Sequence, residues 1–574
     1  MIRIFKLLKT QKVSVFLMMF LLIVYSLANL LLPAIMSSIV NNGINGGNLD
    51  YVIKYSLLML AIATVSVITC LLATKIAAKI IGFFTTELSN KIFKKTLSLN
   101  NTEFSKIGAS ALLTRSTEDV NMISDVLITI LYVAATVPTL FIGGVILSLR
   151  EDVALSMIMF MIVPILLIIV KVIGRKILPR WEVADKFIDD QNQIVRERMN
   201  GIRVIRAYNK EGFEHKRLVN STNDMAENII KANTITGILG PLAMLILNFI
   251  TVLITYVGAI RLGINGTISA GSIIAVIQYV GLMLSAIVEV SFMMVFLPKI
   301  KVNCNRMNEV FDLPEPIEPE DDLTKEIKGN ISLQDVSFCY DGADEPAISN
   351  INMEIKAGET VSFIGGTGSG KSTILNVLLK FNPITSGKIL VEGIDLCNIS
   401  NKRIRQNISV AMQKSVILKG SLEHNIKLGK PDATYDEMKS ASQVAQLENY
   451  IESLPDKYNH LLEQNGTNIS GGQKQRVAIA RAVIKNAPIY VFDDSFSALD
   501  FLTESNLRRG LNDVLKGKTQ IIITQRVATA MGAESIYVLD KGKIVGHGNH
   551  RSLLVNCPIY KEIYDSQIGG DLNE

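Results

Sequence analysis

Apolar residues are spread unevenly along this chain. Long runs with few charges fill residues 13 to 300, and beyond them the pattern changes to short alternating segments. A helix crossing a bilayer needs about 20 mostly apolar residues. On that measure six spans are predicted, at about 15–38, 54–82, 126–149, 153–175, 236–262 and 272–297. The second and third spans, and the fourth and fifth, are joined by long helix-compatible stretches with few breakers. These spans are therefore expected to run on as helices past the membrane, with tips near Asn101–Asp119 and Asn200–Glu211. From about Glu315 the runs ISLQDVSFCY, AISNINMEI and ETVSFIG read as strands. The pattern predicts a multi-domain chain. An all-α polytopic membrane domain (1–310) precedes a Pro-rich acidic linker (311–329, with EPIEPEDD), which leads into an α/β P-loop domain (330–574).

Composition sharpens this division. The 574 residues are 49% hydrophobic with a mean hydropathy of +0.32, too apolar for an ordinary soluble protein. The net charge of +5 is mild. Its cations cluster at Lys75 to Arg115, Arg175 to Lys231 and Lys299 to Arg306, while the 41–52 and 262–271 connections carry no Lys or Arg. Positive charge marks the cytoplasmic side, so both termini are expected inside. Charge placed to set topology needs no nucleic-acid partner, and the expected partner is the lipid bilayer. The first apolar run, from about Val13 to Val40, is too long for a signal-peptide core and is expected to stay as a span. The five cysteines form no CxxC pair and the five histidines give no metal spacing with them. Within the spans, Glu289 and, one face away, Gln278 are the candidate cargo-cavity residues, because an ionisable group at membrane depth faces a cavity or a partner helix. Glu289 would favour cationic cargo.

The strongest chemical signal is Gly365, Gly366, Thr367, Gly368, Ser369, Gly370, Lys371, Ser372 and Thr373, which follows the apolar run TVSFI and opens a helical run. Glycines let backbone N–H groups curl around phosphate oxygens, and a helix N-terminus adds positive potential. Lys371 is expected to neutralise the terminal phosphates of ATP, and Ser372 to bind Mg²⁺. A second apolar strand, Ile489–Phe492, ends in Asp493 and Asp494. Acids capping a buried parallel strand meet the ligand at its carboxyl end. Asp493 is expected to hold the Mg²⁺ through water, and Asp494 to stand where a base orients the attacking water.

In this order the motifs resemble the ATP-binding cassette (ABC) exporters. Ser470, Gly471, Gly472 and Gln473, followed by Lys-Gln-Arg, are similar to that family's signature sequence. The resemblance implies that this signature contacts the nucleotide held by a second subunit. It also implies an adenine-stacking role for Tyr340, a metal-reaching role for Gln413, and subunit contacts by Ser497 and Asp500 in the run SALD. The two helical tips resemble the family's coupling helices. Two positions depart from the pattern of hydrolytic members, which have Glu where this chain has Asp494 and His where it has Gln525. Asp is one methylene shorter, and Gln cannot carry an imidazolium charge. Both departures fall on catalytic positions and leave the binding residues intact.

The reading that follows is one subunit of a bacterial heterodimeric multidrug exporter. Its own P-loop forms a degenerate, ATP-holding site, and its signature completes a partner's hydrolytic site. Expected partners are a second half-transporter and an amphipathic or hydrophobic small-molecule cargo; the expected place is the bacterial plasma membrane. Two alternatives are a homodimeric lipid or peptide exporter with slow ATPase, and an ATP-gated regulatory or channel-like protein.

Overall fold

Fifty consecutive residues, Leu49–Ser98, form one helix in the computed structural model, which describes residues 2–265, 268–314, 319 and 325–567. At about 1.5 Å per residue such a helix far exceeds the ~30 Å apolar layer of a bilayer. Its apolar part carries the expected second span, and it continues as a helix through the basic stretch beyond Lys75. The other long helices are Lys12–Ser38, Glu118–Glu151, Val153–Ala207, Glu211–Gly237, Leu239–Asn265 and Ala270–Asp312. Among the described residues five helical stretches are long and apolar enough to cross a membrane. The expected fourth span lies on the Val153–Ala207 helix, and most of its side chains fall outside the described residues. So do all residues but Pro319 of the acidic run 315–322 within the expected linker.

The chain divides into two compact units, Met1–Leu97 with Gly108–Leu313, and Ser98–Ile107 with Pro314–Glu574. In the first unit the helices approach closely where side chains are small. A Cβ on Gly143 would meet Leu30 Cδ1 at 2.3 Å, and one on Gly144 would meet Met283 Cγ at 2.9 Å. Small residues of this kind let membrane helices pack backbone to backbone. Many large apolar side chains on these helices, including Phe16, Leu60, Leu71, Phe249 and Val252, are exposed, as lipid-facing positions are. Gln278 is exposed; Glu289 is half-buried, and its buried Oε2 has no hydrogen-bond partner among the described residues.

The second unit is built on strands whose burial follows the sequence pattern. β1 (Ile331–Phe338), β2 (Ile348–Ile355), β4 (Ser386–Val391) and β5 (Ile394–Asp395) form an antiparallel sheet in the order β2-β1-β4-β5, with β3 (Thr360–Ile364) lying in a second sheet. That second sheet also contains β6 (Ile408–Ala411), β9 (Ile489–Asp493), β10 (Thr519–Thr524), β11 (Ser535–Asp540) and β12 (Lys543–Gly548), in the order β12-β11-β3-β10-β9-β6. The short β7 (Gly420–Ser421) and β8 (Leu461–Leu462) pair with each other. All neighbours in the six-stranded sheet are parallel except β11 and β12. β9 and β10 are buried at every position, as continuous apolar runs in a sheet covered on both faces must be.

Candidate nucleotide site

Register places the chemistry at one end of this sheet. Thr524 pairs with Ile364, and Ile523 pairs with Asp493, so the carboxyl ends of β3, β9 and β10 lie side by side. The phosphate-binding loop leaves β3 at Gly365, and the helix Lys371–Leu378 begins where it ends. Gly370 caps that helix at φ +98°, and a Cβ there would sit 2.7 Å from the Ala347 carbonyl oxygen. A Cβ on Gly365 would meet the Leu539 carbonyl oxygen at 2.2 Å, so the loop has no room for side chains at either edge. Gly366, Thr367 and Gly368 are exposed between them.

Lys371 is folded back along the loop. Its ammonium donates to the carbonyl oxygens of Gly365 (2.8 Å) and Gly366 (2.7 Å) and to Ser369 Oγ (3.2 Å). Burial pushes the Lys371 ammonium below its ordinary range, and Asp494 and Asp493 oppose that shift. Ser372 Oγ donates to Asp493 Oδ1 at 3.2 Å. Burial pushes Asp493 up, with Asp494 adding to the rise and the Ser372 bond and Lys371 countering it. A buried carboxylate held short of full charge compensation suits a site that takes up a cation. The donors here, Ser372, Asp493 and nearby Gln413, are all oxygen-bearing, and hard Mg²⁺ prefers oxygen. These residues therefore fit a nucleotide-bound Mg²⁺, whose role would be to bridge and neutralise phosphate oxygens.

One cavity of about 290 Å³ gathers Tyr340, the loop from Thr367 to Thr373, Gln413, Asp493, Asp494 and Gln525. The structure thus brings together residues read from separate stretches of sequence. The Tyr340 hydroxyl and Thr373 Oγ1 lie 3.3 Å apart, and Phe338 meets the Tyr340 ring edge-on, with centroids 4.8 Å apart. Asp494 takes a left-handed backbone, φ +45°, and its N–H donates to the Ile523 carbonyl at 2.8 Å. Thr367 Oγ1 reaches Gln525 Oε1 at 3.4 Å, so the amide side chain stands over the phosphate loop.

The signature residues lie apart from this cavity. Ser470 caps the helix Gly471–Val483: Gln473 N–H donates to Ser470 Oγ (3.2 Å) and Ser470 N–H to Gln473 Oε1 (2.8 Å). Ser470 and Gly471 are exposed, and among the described residues nothing lies within 4 Å of a Cβ built on Gly471. Ser497 Oγ donates to the Asp494 carbonyl at 2.9 Å, and Asp500 caps the helix Phe501–Val514 by accepting from Thr503 N–H at 2.9 Å. Hydrogen bonds from Thr503 hold the exposed Asp500 carboxyl below its usual range.

Gln475, in the Lys-Gln-Arg run after the signature, and Arg526 join these pieces, in roles that the motifs alone did not assign. Gln475 donates to Ser497 Oγ (3.3 Å) and accepts from Ala498 N–H (3.0 Å), tying the signature helix to the loop after Asp494. Arg526 donates to the Ser497 carbonyl at 2.8 Å and pairs with Glu504 at 3.2 Å. Gln475 is buried in the fold, and its place beside the signature was the signal that sequence offered.

Comparison with known proteins agrees with both halves. Residues 15–287 match the ABC transporter transmembrane region, and residues 348–497 match the ABC transporter family model. The chain is 32% identical over 556 residues to an uncharacterised ABC transporter ATP-binding protein of Mycobacterium bovis, covering 96% of this chain and 95% of that one. It is 26% identical to an ATP-dependent lipid A-core flippase of Haemophilus influenzae, covering 96% and 94%. A structure of a bacterial Atm1-family ABC exporter with ATP bound superposes with a TM-score of 0.82 at 22% identity, over 98% of each chain. The fold is that exporter fold. The chain belongs to the ABC transporter family, as a half-transporter whose N-terminal membrane-spanning domain is fused to an ABC ATPase domain that drives transport.

Proposed function

We propose that this chain is the ATP-holding subunit of a heterodimeric exporter for amphipathic or hydrophobic small molecules. One observation carries the reading. Asp494 and Gln525 line the same cavity as a complete phosphate-binding loop, so the grip on nucleotide is kept and the cleavage chemistry is curtailed. A displacement of ~1 Å in a reacting group costs about 100-fold in rate. The signature, exposed at Ser470 and Gly471, is accessible to complete a site on a partner half-transporter. Docking of the two ATPase domains on nucleotide would shift the membrane domains between two states, and cleavage at the partner's loop would reset them. Positive-inside charge supports cytoplasmic termini, and the likeness to bacterial ABC transporter proteins supports a bacterial plasma-membrane location. The apolar spans suit amphipathic cargo, and the likeness to a lipid A-core flippase supports lipid-like molecules among it.

The test is purification of the chain alone and with its partner. The expected result is negligible ATPase alone, brisk ATPase in the pair, and little effect of Asp494→Asn on the pair. Brisk hydrolysis by the lone chain, abolished by Asp494→Asn, favours the homodimeric reading, which the carboxylate retained at position 494 supports.

A further inference from the structure

The segment between the second and third spans touches the loop that carries Tyr340. The short helix Asn101–Ile107 groups with the nucleotide-binding half. Its first N–H, from Asn101, donates to the Phe381 carbonyl at 3.0 Å. At its other end Lys106 Nζ pairs with Asp341 Oδ2 at 2.8 Å. Asp341 directly follows Tyr340, whose ring is held edge-on by Phe338 and whose hydroxyl reaches Thr373 at the head of the P-loop helix. The turn closes through Ala343 N–H to the Tyr340 carbonyl at 3.1 Å. Tyr340 lines the nucleotide cavity and also a second cavity of about 390 Å³, shared with Asn101, Ser105, Lys106, Asp341 and Asn382.

We propose that Lys106 is a positioning residue for this chain's own nucleotide: by holding Asp341 it fixes the Tyr340 ring as the platform for the base. The proposal rests on Tyr340 being that platform. Tyr340 is still 43% exposed, so Phe338 and Thr373 leave part of it open to a ligand. Phe338 and Thr373 constrain the ring from its own strand and from the phosphate loop. Lys106 adds the constraint from the inter-span segment. Linkage makes the effect reciprocal: whatever the pair adds to nucleotide affinity, bound nucleotide returns as strengthened docking of residues 98–107. The nucleotide held at this site would then be sensed by its own chain's inter-span segment, whether or not it is cleaved.

The test measures binding to the full-length purified chain with two probes, a ribose-labelled fluorescent ATP and Mg²⁺-tripolyphosphate as its competitor. Tripolyphosphate occupies the P-loop and has no base to stack. Both partners of the pair are about half exposed, so its loss should weaken ATP by roughly two- to five-fold. Lys106→Asp and Asp341→Lys should each do so and leave tripolyphosphate binding unchanged. The double swap should return ATP affinity to within about two-fold of the native chain. Tyr340→Ala is the control for the platform: if it leaves ATP binding intact, the platform reading fails. If Tyr340→Ala weakens ATP and Lys106→Asp does not, the role of Lys106 is overturned. Equal weakening of both probes by Lys106→Asp, or a double swap no better than the singles, overturns it as well.

Discussion

Repairing the two catalytic departures should convert this site from holding ATP to cleaving it. The change is Asp494→Glu with Gln525→His. Glu adds one carbon–carbon bond, about 1.5 Å of reach. A shortfall of ~1 Å accounts for about 100-fold in rate, so the lengthened carboxylate should recover roughly 10- to 100-fold. Position 494 has φ +45°, where Asp is better accommodated than Glu, and the backbone there is anchored through Ile523. The left-handed conformation costs Glu about 1 kcal/mol of stability, which lowers the melting temperature slightly without moving the loop. Gln525→His would replace an amide that now meets Thr367 at 3.4 Å with an imidazole able to donate a charged hydrogen bond to the terminal phosphate. The assay is ATPase of the assembled pair in which the partner's P-loop lysine is removed, so that only this site can turn over. Turnover within about two-fold of the unrepaired pair, with ATP still bound, would refute the geometric explanation of degeneracy.

Other expectations follow from the same geometry. A Cβ on Gly472 would stand 3.2 Å from the Ala498 carbonyl oxygen, so Gly472→Val should displace the signature and suppress turnover of the pair more than Lys371→Ala does; equal effects would count against the asymmetry. Gly370→Ala forces a side chain into φ +98° and against Ala347, costing about 1–3 kcal/mol. It should abolish ATP binding and lower the melting temperature, by about 2–4 °C per kcal/mol. Asp493→Asn should raise the melting temperature of the nucleotide-free protein at pH 7 while weakening Mg²⁺-ATP binding. The sign follows from the raised carboxyl: the fold holds its proton more tightly than the unfolded chain, so its favourable contribution exists below the ordinary Asp range of about 4 and is lost as pH rises through the folded value. The gain from Asn should therefore fade on acidification, as calorimetry between about pH 4 and 8 can show.

Much of the site was legible in sequence because its chemistry is local. The phosphate loop is one contiguous stretch between a buried strand and a helix, and two acids abutting an apolar run announce the end of β9. The signature reads as a helix cap because Ser470 and Gln473 sit at capping-box spacing. Hydropathy located the second span at about 54–82 but could not locate the end of its helix, since the apolar run gives way to basic residues beyond Lys75 while helical hydrogen bonding continues to Ser98. Pairings distant in sequence were not legible. Lys106 with Asp341, Gln475 with Ala498, and Arg526 with Ser497 depend on register and side-chain reach that no periodicity encodes. Gln278 and Glu289 illustrate the same limit: composition flagged both, and the fold gives them different exposure along one helix.

The fate of the nucleotide at Lys371 is the decisive quantity. The assembled pair, turning over α-labelled ATP, can be quenched after many cycles and the label crosslinked to this chain identified. A site that grips without cleaving retains triphosphate there while the partner's loop carries diphosphate. Diphosphate at this chain, appearing at the rate of steady-state turnover, would show that Asp494 and Gln525 support cleavage after all.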